Sequence, residues 1–364
     1  MRIIFGGDTV PTDLTERAFC EGDTESLFGK AARIFKSADA FFVNLECALT
    51  DKDTPIKKIG PAIKASPMCA RGLKALGVTA ACLANNHLYD YGEGGYRDTL
   101  SALDEAGIPY TGVGENDTDS RKPYFFEIED KRFALINVAE HEYSYALPNR
   151  CGANPFDPFL TMQDIRSASA LVDYTVVVYH GGKEFCEYPS PRLYNLAHEM
   201  VECGADVVLC QHSHCVGCYE KYKNGHIVYG QGNFNFLRFD LSSNAMWSEG
   251  LAVELSIEDK DVELYFHPLV SSPELSRVEL AEGERAREIL GGFMRRSKEL
   301  ENGEWQRGWQ EFCRSVSDNY MRVIRNAMST DEHGFEMFKH YLDCEAHSDV
   351  WHELLPTYNK TVKQ

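Results

Sequence analysis

Five short apolar runs in the chain each end in side chains able to bind a metal or move a proton. Arg2–Phe5 leads into Gly7-Asp8, Ala40–Leu45 closes on Asn44-Leu45-Glu46, and Val78–Leu83 leads into Asn85-Asn86-His87 with Asp90 close behind. Tyr174–Tyr179 runs into His180-Gly181-Gly182-Lys183-Glu184, and Asp206–Cys210 into Gln211-His212-Ser213-His214. All of these are hard or borderline ligand types, suited to divalent metal chemistry. In an extended His-x-His both imidazoles point to one side, so His212 and His214 are expected to offer two nitrogen donors to one site. Each motif alone has an ordinary reading. Gly-Asp after a strand is a common turn or helix cap, and a lone strand-end histidine is more often a hydrogen-bonded structural residue. The joint occurrence at five strand ends carries the metal reading.

Donors scattered over 200 residues of sequence need a scaffold that gathers them. Short runs rich in β-branched and aromatic residues alternate with amphipathic stretches at Glu25–Phe35, Gly95–Ala106 and Arg192–Cys203. That alternation predicts an α/β layered fold, and in such folds sites form beyond the carboxyl ends of the strands. After Gly225 the pattern becomes hairpin-like (His226–Tyr229, Leu251–Ile257, Val262–Pro268), predicting antiparallel strands that extend the sheet. From about residue 275 the chain is charged and striped with Leu, Phe and Trp. Leu280–Glu299, Trp305–Arg325 and Thr330–Cys344 read as amphipathic helices. The expected division is a domain over 1–270 and a helical block over 271–364 docked on it. The aromatic stripe Phe293, Trp305, Trp309, Phe312 and Tyr320 is expected to pack as core.

Composition excludes several classes. With 364 residues, 43% hydrophobic and 26% charged, the chain buries a real core and is neither disordered nor fibrous. Lys plus Arg number 37 against 56 Asp plus Glu, a formal charge of −19. Such a surface repels nucleic acid and anionic lipid, and no basic run offsets it. Met1-Arg2 enters Ile3-Ile4-Phe5 directly, without the pattern of a signal peptide, and no apolar run approaches the length of a membrane span. The chain therefore reads as soluble and cytoplasmic. Its twelve cysteines are scattered and are expected to be reduced, buried small hydrophobes. The one cluster, Cys210, Cys215 and Cys218, lacks the second Cys pair of a zinc ribbon.

Taken in order, these motifs resemble the calcineurin-like metallophosphoesterase superfamily, and within it the CapA group of poly-γ-glutamate capsule proteins. The resemblance covers about residues 1–240 and includes Gly204-Ala205-Asp206 and Tyr229-Gly-Gln-Gly-Asn233-Phe234. It implies a layered αββα sandwich of metallophosphoesterase type, with the C-terminal helices as an appendage outside the match. It also implies a site for two divalent ions, with Mn, Fe, Zn and Ni indistinguishable. Asp8 and His214 would hold one ion; Asn86, His180 and His212 the other, with Glu46 bridging. His87 would be the acid beside the leaving group. Two departures stand out. The superfamily has Asp-x-His at the first motif where this chain has Val10, and the bridging residue is Glu46 instead of Asp. Glu140-His141-Glu142 is the nearest substitute for the missing ligand.

Paired metals lower the pKa of water and clamp attacking and leaving oxygens, the chemistry of phosphoester hydrolysis. Lys183 and Arg238 are candidate anion-binding groups, and Glu184 a candidate to orient His180 or approach the metal. The implied function is a capsule-biosynthesis hydrolase acting on a phosphoester-type or related anionic substrate, a small molecule or a polymer. The competing reading is a non-catalytic metal-binding accessory protein in a capsule synthesis or export complex, with other capsule-synthesis proteins as partners. Val10 favours the second, and His87 beside Asn86 favours the first.

Overall fold

Alternation within the strands sets the layering. The computed structural model of the chain describes residues 1–140, 143–241, 243–258, 261–328 and 332–355. The strands of its two main sheets are β1 (Arg2–Thr9), β2 (Ala40–Leu45), β3 (Ala80–Cys82), β4 (Tyr110–Thr111), β5 (Tyr124–Ile128), β6 (Lys131–Ala139) and β7 (Tyr174–His180). They continue with β8 (Val207–Gln211), β9 (Tyr219–Tyr222), β10 (Gly225–Val228), β11 (Asn233–Asn235), β12 (Glu249–Glu258), β13 (Asp261–Ser272) and β14 (Arg277–Leu280). The first sheet runs β14-β13-β12-β1-β2-β3-β4, with β11 paired to β1, and the second β9-β10-β8-β7-β6-β5. Strands β1, β2 and β3 are parallel, as are β6, β7 and β8, so their carboxyl ends gather at one edge of each sheet.

Odd and even positions of the same strand face different layers, as the period of two requires. Ile3, Phe5 and Phe42 meet Phe133, Val176 and Val178 between the sheets. Ile4, Phe41 and Val43 face outward onto α1 (Glu16–Glu21), α2 (Thr24–Phe28), α3 (Ala31–Lys36), α4 (Ala70–Leu76) and α5 (Gly92–Ala106). On the far side, Ile136, Val177 and Tyr179 pack against α6 (Pro158–Ser169) and α7 (Pro191–Glu202). Each of these last two helices starts on proline, and Asp157 and Ser190 accept hydrogen bonds from their first-turn amides. The result is the expected αββα order, with strands buried on both faces.

Three features depart from the sequence reading. Glu25–Phe35 is two helices, because Gly29 (φ 49°, ψ −130°) interrupts the chain between α2 and α3. His226–Tyr229 falls on β10, which forms an antiparallel hairpin with β9 and lies beside β8 in the second sheet, while the β12–β13 hairpin extends the first. The sheet also runs past residue 270 to Leu280, with the single turn α8 (Ala245–Ser248) leading into β12. Only after Leu280 come α9 (Gly283–Glu301), α10 (Trp305–Ala327), α11 (Glu332–Asp343) and α12 (Glu345–Leu354). Helix α9 is docked on the sandwich: its Ile289 and Phe293 belong to the core between the sheets, and its Leu300, with Trp305 of α10, packs onto the α6–α7 layer. Phe293, Trp305, Trp309 and Tyr320 are buried as expected, whereas Phe312 is only half-buried. All twelve cysteines are free of disulfides, and all but the partly exposed Cys20 are buried. No helix among the described residues is long and apolar enough to cross a membrane.

Candidate metal centre

The parallel strands deliver their end residues to one place. Asp8 lies at the end of β1, Glu46 follows β2, Asn86 and His87 follow β3, His180 ends β7, and His212 and His214 follow β8. Each is buried. His180 Nε2 stands 3.3 Å from Glu46 Oε1, and His212 Nδ1 and His214 Nε2 stand 4.0 and 3.9 Å from the same oxygen. Asp8 approaches His214 Nδ1 at 3.4 Å and His180 Nδ1 at 3.6 Å. The Asn86 amide oxygen lies 2.9 Å from His180 Nε2. Glu46 is common to two ligand triads, one with His212 and His214, the other with Asp8 and His180.

The histidines reach the site by a route other than strand alternation. His212 (φ 83°) and His214 (φ 52°) both adopt left-handed backbone, so the His-x-His segment is not extended. A non-glycine residue is strained in that conformation, which persists where surrounding structure imposes it. Here Asp8 Oδ2 accepts the backbone N–H of His212 at 3.0 Å, and Asn233 Oδ1 lies 3.0 Å from His214 Nδ1. The Gly pair after His180 is also required. Gly182 has φ 96°, and a Cβ on Gly181 would lie within 2.7 Å of the Glu140 carboxylate.

That carboxylate is not available as the substitute ligand. Glu140 accepts hydrogen bonds from the Tyr179 hydroxyl and the Gly182 amide and pairs with Arg192. Burial works against its charge, but Arg192 and these donors hold its pKa below the usual range. His141 and Glu142 lie outside the described residues. Val10 is buried in the apolar layer over the first sheet and offers nothing to a metal. Glu184 and Lys183 lie 3.5 Å apart on the cavity wall, and Arg238 pairs with Asp240 at its rim.

Several residues outside the predicted set complete the site. Asn44 donates to Asp8 Oδ1 at 2.7 Å and touches His180 Nδ1 at 3.0 Å, tying two ligand strands together. Asn85 donates to Asn44 and to the Leu45 carbonyl, and accepts from the amides of His87 and Leu88. Asp90 holds His87 Nδ1 at 2.7 Å while Lys58, almost wholly buried, pairs with its other oxygen at 2.5 Å. A cavity of about 650 Å³ opens above the cluster. Its floor includes His87, His212 and His214, and its far wall comes from α10, α11 and α12.

Electrostatics test whether these donors fit a cation. Both Glu46 oxygens and His212 Nδ1 are buried without a hydrogen-bond partner. A buried carboxylate with no donor is costly unless a positive charge faces it. Burial disfavours charge on Glu46, but His214 and His180 outweigh it and keep the carboxyl ionised. Burial likewise opposes the charge on His214, yet Glu46 and Asp8 push its pKa up to about 9. The unpartnered Glu46 oxygens and His212 Nδ1, with Asp8, Asn86, His180 and His214 converging beside them, fit a divalent transition metal.

Over residues 2–237 the chain matches the family of bacterial capsule synthesis proteins, PGA_cap. The chain belongs to that family. Every residue of the cluster lies within the PGA_cap stretch, and helices α9–α12 lie beyond it. Among relatives, the capsule biosynthesis protein CapA of Bacillus anthracis is 33% identical over 180 residues, 48% of this chain and 44% of that protein. The PGA biosynthesis protein CapA of Bacillus subtilis (strain 168) is 27% identical over 244 residues, 64% of this chain and 62% of that protein. The matches thus span about half of those relatives' length. A probable polyglutamine synthesis accessory protein of Mycobacterium tuberculosis is 25% identical over 57% of this chain and 58% of its own. Of solved structures, a hypothetical protein from Thermus thermophilus superposes with a TM-score of 0.48 at 16% identity, covering 75% of this chain and all of that one. A putative 5'-nucleotidase from Staphylococcus aureus gives 0.45 at 16% identity, covering 80% of this chain and 58% of that one.

Proposed function

We propose that this PGA_cap protein is a metal-dependent hydrolase of phosphoester-type or related anionic substrates that serves capsule or poly-γ-glutamate synthesis. The observation that carries the reading is Glu46, a buried carboxylate with two unpartnered oxygens ringed by His180, His212 and His214. In this reading Asp8 and His214 hold one divalent ion, Asn86, His180 and His212 a second, and Glu46 is shared. The ions would supply an activated water and charge neutralisation at the leaving oxygen.

The chain's own residues do the rest. Asp90 holds His87 Nδ1, which leaves Nε2 as the atom for proton exchange at the cavity. Burial, then the charge of Lys58, lowers the His87 pKa against the pull of Asp90. The lowered pKa favours the neutral ring, from which His87 can take up and hand on a proton at the leaving group. Lys58, Lys183 and Arg238 line the cavity and offset substrate charge in a strongly acidic protein. The capsule role is supported by the family and by what its relatives are named for.

One observation favours a second reading, that of a metal-binding accessory protein: the apolar Val10 at a ligand position. Metal analysis of purified protein, with p-nitrophenyl phosphate and bis-phosphate assays across Mn, Fe, Zn and Ni, separates the two. Full loading with no hydrolysis would sink the hydrolase reading. In an active protein, His87→Ala is expected to reduce turnover at least about tenfold with metal content unchanged; loss of metal with activity would make His87 a ligand.

A further inference from the structure

The cavity above the metal cluster has two chemically different halves. One half carries the charged and polar groups His87, His212, His214, Lys58, Lys183 and Glu184, with Phe236 and Trp247 beside them. The opposite half comes from the α10–α12 segment, beyond the family match, and is mostly aromatic and apolar: Phe312, Val316, Tyr320, Met337, Tyr341 and His347, with Asn319 and His340 among them. Its rings are fixed against one another. Tyr341 stacks on His347 at 3.8 Å and 20°, and Tyr320 meets Tyr341 edge-on at 5.0 Å. The Tyr320 hydroxyl lies 2.6 Å from His347 Nδ1, and Asn319 donates to the Tyr341 hydroxyl at 3.0 Å.

This wall is anchored to the domain it faces. Arg192 on α7 holds Asp349 of α12 at 2.9 Å, and Ser190 donates to the same carboxylate at 2.6 Å. His340 stacks on Tyr143, and Lys57 pairs with Glu332 at the start of α11. The wall is therefore a fixed part of the site.

A polyanion laid across such a cavity would press a charge against the aromatic side at every repeat, and an unpaired buried charge is costly. A molecule with charge at one end only avoids that cost. We infer that α10–α12 form a leaving-group subsite, so that the site takes small monoesters pairing one anionic group with a flat, uncharged ring. The anion faces the histidines and lysines, and the ring lies on Phe312 and Tyr341. This inference rests on the hydrolase reading and deepens it.

The test compares ligands that share the anion and differ in the ring. Calorimetry on the metal-loaded full chain measures phenylphosphonate and methylphosphonate, neither of which can be hydrolysed, and kinetics measures p-nitrophenyl phosphate and methyl phosphate. Phenylphosphonate is expected to bind about tenfold tighter than methylphosphonate, the scale of one good aromatic contact. Tyr341→Ala, and independently Val316→Trp, which fills the cavity from the wall, are expected to abolish that preference. Equal affinities in the wild type, or a preference unchanged in both variants, overturns the inference. If neither ester is turned over but the phosphonate preference holds and is lost in the variants, the hydrolase reading fails and the subsite stands. If neither phosphonate binds the subsite falls, and the hydrolase reading falls with it only where neither ester is turned over.

Discussion

At the scale of single residues, the site turns on groups whose hydrogen-bonding demands the protein leaves open. Glu46 is fully buried, yet neither oxygen has a donor, while nearby Asp8, Asn44, Asn85 and Asn86 are all engaged. Glu46→Gln keeps the shape and removes the charge. Metal-free, it loses the charge that faces His214 and His180 and should melt below wild type. The rise in Tm expected when Mn is added to the wild type should largely vanish in the variant, since stabilisation by a ligand scales with its affinity for the folded state. Differential scanning calorimetry with and without metal decides it, and an undiminished shift in the variant would place the ion elsewhere. The strand-end donors were legible because each follows a β-branched or aromatic run. Asn44 and Lys58 were not assigned roles, because a polar residue beside a motif has no periodic signal. The left-handed turns at His212 and His214 were illegible for a related reason: only glycine or asparagine normally advertises positive φ.

At the scale of elements, helix periodicity in the C-terminal third told which faces are apolar but not what they face. Trp309 and Tyr320 do pack as core, yet the same helix α10 turns Phe312 and Val316 toward the cavity. A single arginine joins these layers. Arg192 contacts Glu140 at the end of β6 and Asp349 on α12, both buried. Arg192→Ala strands two carboxylates and should cost about 3–5 kcal/mol in urea unfolding; a loss below about 1 kcal/mol would show that the ion pairs contribute little. His347 gives α12 its own pH dependence. Burial, then Lys183 and His340, lowers its pKa from the usual 6.5 to about 2, with Glu184 opposing and His212 adding to the effect. Folded, it stays neutral above that value; unfolded, it takes a proton near 6.5. Its contribution is therefore complete above about pH 6.5 and is lost as pH falls toward 2. Between about pH 5 and pH 4 the unfolding free energy of wild type should drop by about 1.4 kcal/mol more per pH unit than that of His347→Gln. Parallel pH profiles would refute the assignment.

At the scale of the whole molecule, two fields oppose one another. The chain carries a net charge of −19, which repels an approaching anion at long range. Close to the site Lys58, Lys183 and Arg238 line the cavity, each paired with a carboxylate, and bound divalent ions would turn the local potential positive. The two ranges respond differently to salt. At about 0.01 M ionic strength the Debye length is about 30 Å, so the full negative surface is felt; at about 0.15 M it shrinks to about 8 Å. Screening thus removes the repulsion before it reaches the partly buried cations. For an anionic monoester, kcat/KM should rise several-fold as NaCl goes from about 10 to about 150 mM, carried by KM, with kcat unchanged. An enzyme steered by a basic face shows the opposite slope. Replacing Arg238, the most exposed of the three cations, with Gln should lower kcat/KM at every salt concentration and leave the upward slope in place. A falling salt profile in the wild type would mean that the local cations dominate even at long range, and that the acidic surface plays no part in choosing what reaches the site.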